Sequence, residues 1–370
     1  MHVALKSFAF SLFLLAPAAC GNGTTTTTSG GGGSSSASTG TGPGTGGGGT
    51  SAAKACADSA KASCTKRDTC ANGYFNKRTY GDEATCETRF AAACVTNLGS
   101  KGDAQSPDKI EACVAAFPTY TCTDLFDGNP PAACVPPAGT GAMGAACGVS
   151  AQCASTFCAV AQDAVCGTCQ PLPAVGAACQ AQAECGRDLA CAKSVAAPSG
   201  KCAAWVASGG ACLTSVSPCQ AGLSCVGDDV AAMTMGTCKA AGATVGAPCD
   251  RSRKTIASCD ANLGLVCIPA VAGSGVGTCQ AIQLVGAGKP CGDIGSMPPT
   301  GFAACQAGGL CVKAAPTDPT GTCKAPAADG AACDTDASKG PPCLTGSRCV
   351  PTAPPGTAGT CKLPDAHKCM

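Results

Sequence analysis

The sequence predicts a small disulfide-rich protein in two parts. An N-terminal all-α domain stapled by disulfides is followed by an array of short β-hairpin cysteine-rich modules. Three observations carry this. The chain of 370 residues holds 35 cysteines, 50 glycines and 26 prolines, and cysteine above about 8–10% marks a disulfide scaffold. A glycine–cysteine signature recurs six times after residue 135. Before it lies a segment with helical periodicity and a duplicated Cys-x7-Cys spacing. Bridges at this density persist only in an oxidising compartment.

Residues 1–19 read as a signal peptide. Lys6 precedes SFAFSLFLLAPA, an apolar run of signal-peptide length and shorter than the about 20 residues that span a bilayer. The run ends in LLAPAAC, which resembles a bacterial lipoprotein signal. That resemblance implies lipidation of Cys20 and a membrane partner through the lipid anchor, at the outer membrane or cell surface. Cleavage after Ala16-Pro17-Ala18, giving a secreted protein, is the alternative. Cysteine parity favours the first, because 35 − 1 = 34 cysteines can form 17 bridges. Residues 20–53 are then the anchor cysteine and a Gly/Ser/Thr linker, with an r.m.s. reach of about 30 Å.

Residues 54–134 hold seven of the ten aromatic residues that follow the signal. Three segments read as helices, 53–66, 82–97 and 107–116. Asp82 and Ser106 are suited to N-capping and Pro107 to a first helical position. The pattern Cys56-x7-Cys64 matches Cys86-x7-Cys94. In an antiparallel hairpin of the first two helices the outer cysteines meet, and so do the inner ones. This predicts Cys56–Cys94 and Cys64–Cys86, with Cys70–Cys113 and Cys122–Cys134 completing an eight-cysteine domain.

Residues 135–370 form six repeats. Each carries a Gly-x-x-Cys, ending at Cys147, Cys179, Cys212, Cys249, Cys291 and Cys333, and a Gly-x-Cys, ending at Cys169, Cys202, Cys238, Cys279, Cys323 and Cys361. Only Phe157, Trp205 and Phe302 are aromatic here. Units of this size need staples in place of a core. Closing a loop of roughly 15 residues contributes about 3 kcal/mol in the chain-entropy model. The segment from Gly222 to Cys238 reads as a β-hairpin with its variable loop as an exposed tip, and the array as a rod of such units.

Cys166-Gly167-Thr168-Cys169 is the chain's one C-x-x-C. A redox dithiol wants a helix after it, and Pro171 and Pro173 prevent a regular one. A zinc site wants a second close pair or two histidines, and outside the signal only His367 remains. The reading left is structural. Dividing the array at each Gly-x-x-Cys strands Cys166 and Cys369 far apart. Dividing it so that each unit ends on the next Gly-x-x-Cys cysteine leaves Cys147 and Cys166, which pair locally. The second frame is preferred and predicts Cys147–Cys166.

In that frame the first unit is Cys147-x5-Cys153-x4-Cys158-x7-Cys166-x2-Cys169-x9-Cys179. This spacing resembles the Dickkopf N-terminal cysteine-rich domain, with residues 185–369 as four-cysteine variants. The resemblance implies a disulfide fold and a protein-binding habit.

With 24 basic and 23 acidic residues and no basic stripe, nucleic acid is not an expected partner. His367 has no partner motif for a Ser/His/Asp or Cys/His set, so no catalytic, metal or cofactor site is expected. Residues 334–340 depart from an EF-hand and read as a polar loop. Asp228-Asp229 reads as a hairpin tip. Trp205 is the one candidate binding anchor. The function expected is a non-catalytic, lipid-anchored cell-envelope or surface protein with a structural or recognition role toward a protein or cell-surface ligand. A freely secreted protease inhibitor or toxin-like ligand is the alternative, and an enzyme of unknown class the third reading.

Overall fold

The computed structural model describes residues 50–370 except 162, 194–198, 296–297, 316, 337–339, 354–355 and 370. Cys20, the signal and nearly all of the linker lie outside the described residues.

The helical domain comprises α1 (Ala52–Cys70), α2 (Tyr74–Thr79), α3 (Glu83–Asn97), α4 (Pro107–Ala116) and α5 (Cys122–Asp127). Asp82 accepts from the Thr85 N–H and Ser106 from that of Lys109, so both act as the N-caps expected. α1 and α3 are joined by Cys56–Cys94 and Cys64–Cys86, the nested pairing that the duplicated spacing gives.

The other two pairs of this domain differ from expectation. Cys70 bonds Cys122, and Cys113 bonds Cys134. The cause is α5, a single short helix with too few residues for periodicity to reveal. It returns Cys122 to the end of α1, where Cys70, Tyr120 and Leu125 pack together. Cys113 on α4 then faces the 3-10 turn Ala132–Cys134.

Each repeat contains a three-stranded antiparallel unit. In the first, β1 (Ala146–Cys147) and β2 (Cys158–Ala159) flank β3 (Gly167–Cys169). Within every module the first cysteine bonds the third and the second bonds the fourth, beginning with Cys147–Cys158 and Cys153–Cys169 and ending with Cys333–Cys349 and Cys343–Cys361. Strands two apart in a flat sheet lie roughly 10 Å apart. The first and third cysteines sit on the two outer strands with Cα atoms only 5.7–6.0 Å apart. The sheet is therefore strongly coiled about its central strand, and the cysteines are its core.

This coiling explains both glycines of the signature. The glycine of each Gly-x-Cys lies opposite the module's first cysteine, as Gly277 does opposite Cys249. A Cβ on Gly277 would stand 1.9 Å from the Ile268 carbonyl oxygen of the other outer strand. The glycine of each Gly-x-x-Cys has φ between +77° and +84° and donates its N–H to the carbonyl of the fourth cysteine, as Gly144 does to Cys169 at 2.8 Å.

The module boundaries therefore fall at each Gly-x-x-Cys, and the shifted frame is corrected. Cys147 does not bond Cys166. Cys147 lies opposite Gly167 in the β1–β3 ladder, and successive side chains on a strand point to opposite faces. The chain thus directs Cys166 away from the face that holds Cys147. Cys166 instead bonds Cys369, 203 residues later. The six cysteines from 147 to 179 do not close on themselves, because Cys179 bonds Cys191 in the next module.

That bridge closes the array into a ring, not a rod, and the helical domain is its hub. Module 1 meets the hub through Gln152 Nε2 on the Lys101 carbonyl at 3.1 Å. Module 2 donates the Asp188 N–H to Asn129 Oδ1 at 2.7 Å, and module 3 the Ala221 N–H to Asp127 Oδ1 at 2.7 Å. In module 4, Gly264 lies against the Tyr74 ring, where a Cβ would come within 2.5 Å. Module 5 accepts Arg78 Nη1 on the Cys305 carbonyl at 2.7 Å. Module 6 and its tail reach Arg89 and Asn97. Arg348 of module 6 then donates to the Ala161 carbonyl of module 1 at 2.7 Å.

Candidate functional site

The tip of module 3 presents exposed apolar side chains on a hydrogen-bonded loop. Its strands, 223–226 and 236–240, continue into a loop closed by reciprocal hydrogen bonds between Asp229 and Thr234 at 2.9 and 3.0 Å. Asp229 Oδ1 also accepts the Ala231 and Ala232 N–H groups at 2.9 and 3.1 Å. Asp229 thus caps the tip turn. The loop turns its apolar side chains outward: Val230, Met233 and Met235 are exposed, Met233 by 63%. Met233 has φ +53°, a conformation non-glycine residues rarely hold.

Asp228, adjacent in sequence, has the opposite role. Its side chain is only 2% exposed. Its Oδ2 accepts from the Thr214 N–H and hydroxyl at 3.1 and 2.7 Å. Arg253 of module 4 lies 3.9 Å from its Oδ1 and donates to the Thr214 hydroxyl at 3.0 Å. Arg253 is itself held with φ +58° in a loop organised by Asp250. Asp250 accepts from the Ser252, Lys254 and Thr255 backbone and from the Ser252 and Thr255 hydroxyls. Burial alone would raise the Asp250 carboxyl, but the Ser252 and Thr255 hydrogen bonds hold it down at about 2. A carboxylate on module 4 thus shapes the loop whose arginine braces the finger of module 3.

Trp205 is not a free anchor. It is half-buried in the link between modules 2 and 3, and its Nε1 donates to the Asp127 carbonyl at 3.1 Å. The same carbonyl accepts Gln182 Nε2 at 3.3 Å. Asp127 is therefore a junction of hub, module 2 and module 3. Its carboxyl is buried, Oδ2 has no hydrogen-bond partner among the described residues, and burial pushes it up to about 6. Sequence reasoning did not single out Asp127, since nothing local marks a carboxylate at the end of a six-residue helix.

All 34 cysteines among the described residues are in disulfides. The clusters of three sulfurs, such as Cys147, Cys153 and Cys169, are neighbouring bridges and not thiolates that ligate metal. His367 is exposed at the closing turn, and residues 337–339 of the polar loop lie outside the described residues. Among the described residues no helix is long and apolar enough to cross a membrane. Disulfides at this density are those of an extracellular or secreted protein.

No family model matches the chain, and no curated protein and no solved structure matches it.

Proposed function

We propose that this is a non-catalytic recognition protein of the cell envelope or surface, held by a lipid on Cys20 and displaying its ring of modules beyond the linker. The observation that supports the reading most is the braced finger of module 3. Large apolar side chains exposed on a loop with a buried, hydrogen-bonded base are the usual composition of a recognition element. A rigid presentation lowers the ordering cost of binding. Methionine adapts its shape to a partner surface.

The test has two arms. Metabolic palmitate labelling is expected for the full chain and lost in Cys20→Ser; unlabelled wild type moves the protein to the freely secreted class. Surface plasmon resonance of the full oxidised chain over solubilised envelope proteins is expected to give binding that Met233→Ser with Met235→Ser abolishes. Binding unaffected by that pair would overturn the finger as the recognition element. Inhibition of a protease panel through the same residues would favour the secreted-inhibitor reading.

A further inference from the structure

The finger of module 3 is bonded into a wider surface shared with module 4. The Thr214 N–H and hydroxyl tie residues 213–217 to Asp228 at the base of the finger. The Gly227 N–H donates to the Arg253 carbonyl at 2.7 Å, and the Arg251 N–H donates to the Gly275 carbonyl at 2.8 Å. The 251–255 loop of module 4 is thus joined on one side to the finger. On the other it is joined to the tip of its own hairpin, whose strands are Leu265–Pro269 and Val276–Ala281. Val216, Val230, Met233, Met235, Val271 and Val276 are exposed on these segments, half of the twelve large apolar side chains exposed among the described residues. Such a concentration beside polar groups marks an interaction surface.

The charges of this surface are sorted by depth. The Asp228 and Asp250 carboxylates are buried and accept hydrogen bonds from neighbouring loop residues. Arg253 reaches Asp228 and Thr214. Arg251 and Lys254 stay exposed, and neither side chain has a hydrogen-bond or ion-pair partner among the described residues. The exposed carboxylate of these segments is Asp229, whose Oδ1 accepts two backbone N–H groups. Two cations without a counter-ion therefore stand beside the apolar side chains, and their complement is an acidic, apolar partner. Proteins grip a bilayer interface with Trp and Tyr, and residues 206–301 contain no aromatic side chain. The composition thus favours a protein partner over a lipid surface.

We propose that the partner of the finger is a protein segment rich in carboxylates and apolar side chains, its acids on Arg251 and Lys254 and its apolar groups against Met233, Met235 and Val271. This rests on the finger as the recognition element and extends its site onto module 4. The cations govern how fast the partner arrives, and the apolar contacts how long it stays.

The experiment is surface plasmon resonance on the immobilised full oxidised chain. The probe is a random glutamate–tyrosine copolymer, with polyglutamate and a lysine–tyrosine copolymer as controls. The glutamate–tyrosine copolymer is expected to bind saturably, polyglutamate about tenfold more weakly, and the lysine–tyrosine copolymer not at all. Arg251→Glu with Lys254→Glu is expected to slow association about tenfold and to remove its salt dependence. Val271→Ser is expected to quicken dissociation about threefold. These side chains are exposed, so melting temperatures should stay unchanged. No binding of the glutamate–tyrosine copolymer, equal binding of polyglutamate, or association unchanged by the charge reversal would each overturn the proposal. Binding to phosphatidylglycerol vesicles in place of the copolymer would overturn it too. Failure of the finger itself reads differently. If Met233→Ser with Met235→Ser leaves capture of solubilised envelope proteins intact, the finger falls and its acidic partner with it. If that pair abolishes capture and the charge reversal does not weaken it, the finger stands and the acidic partner alone falls.

Discussion

Cys166 and Cys369 are bonded across 203 residues, so the first and last parts of the module array are one covalent unit. Arg348 of module 6 lies over the same seam, donating to the Ala161 and Ala164 carbonyls of module 1 at 2.7 and 3.0 Å. The clasp leads to a direct test of pairing. Cys166→Ser is expected to expose one thiol, on Cys369, with Cys147 unreactive. Labelling with a maleimide followed by peptide mapping reads this, and a labelled Cys147 would restore the local pairing. In the chain-entropy model a loop of that length is worth about 5 kcal/mol in isolation. The hub contacts of each module already restrict the loop, so the loss expected in a denaturant titration is about 2–3 kcal/mol.

The hub–ring junction at Asp127 is expected to make stability depend on pH. Its carboxyl is pushed up to about 6 by burial, with the like charge of Asp124 adding to the effect and the Ala221 N–H opposing it. The folded state therefore holds a proton that the unfolded chain releases near its ordinary value of 3.8. The stabilising contribution is complete below that value and is lost as pH rises through about 6. Asp127→Asn keeps an acceptor for the Ala221 N–H and removes the ionisation. Urea titrations are expected to show the variant more stable than wild type by about 1–2 kcal/mol at neutral pH, with the difference shrinking toward pH 4. A constant difference across that range would exclude Asp127 as the titrating group.

Arg89 fastens module 6 to α3. It pairs with Asp329 through Nη1–Oδ2 at 3.1 Å and Nη2–Oδ1 at 3.3 Å, donates from Nε to the Thr345 carbonyl at 2.6 Å, and reaches Ser347 Oγ at 2.9 Å. Ser347 also donates to Asp329. Both charged groups are mostly buried. Arg89→Ala leaves Asp329 without its counter-ion and is expected to cost about 2–4 kcal/mol. Lysine cannot reproduce the fork, so Arg89→Lys should recover only part of this. Hydrogen exchange is expected to rise first at the backbone amides of module 6.

The two signature glycines separate close approach from backbone conformation. At Gly277 an added methyl meets the Ile268 carbonyl oxygen at 1.9 Å, and the coiled sheet that brings Cys249 to Cys267 cannot form around it. Gly277→Ala is expected to give mixed disulfides in module 4 on peptide mapping. At Gly176 φ is +83° and nothing lies within 4 Å of an added Cβ. Gly176→Ala is expected to keep native pairing at a cost of about 1 kcal/mol.

The reach of the sequence is visible in which bridges it determined. Cys56–Cys94 and Cys64–Cys86 follow from spacing, because both pairs lie on two long helices whose antiparallel packing fixes which residues meet. The helix caps Asp82 and Ser106, the six-fold repeat and the hairpins are equally local, set by backbone conformation and side-chain chemistry within a few residues. Cys70–Cys122 and Cys113–Cys134 depend on the path of α5, a helix too short to announce itself. Cys166–Cys369 depends on the whole ring returning to its start. Parity and spacing leave both divisions of the array open, and local pairing is the cheaper guess because it closes a shorter loop. Only the folded chain shows that contacts at Lys101, Asp127, Tyr74, Arg78, Arg89 and Asn97 lead the modules back to module 1. Those contacts are mostly hydrogen bonds to backbone groups, which carry no residue-type signature in a sequence. The same reason hides the finger's brace. Asp228 and Arg253 are ordinary polar residues of two different repeats until coiling and docking place their modules side by side.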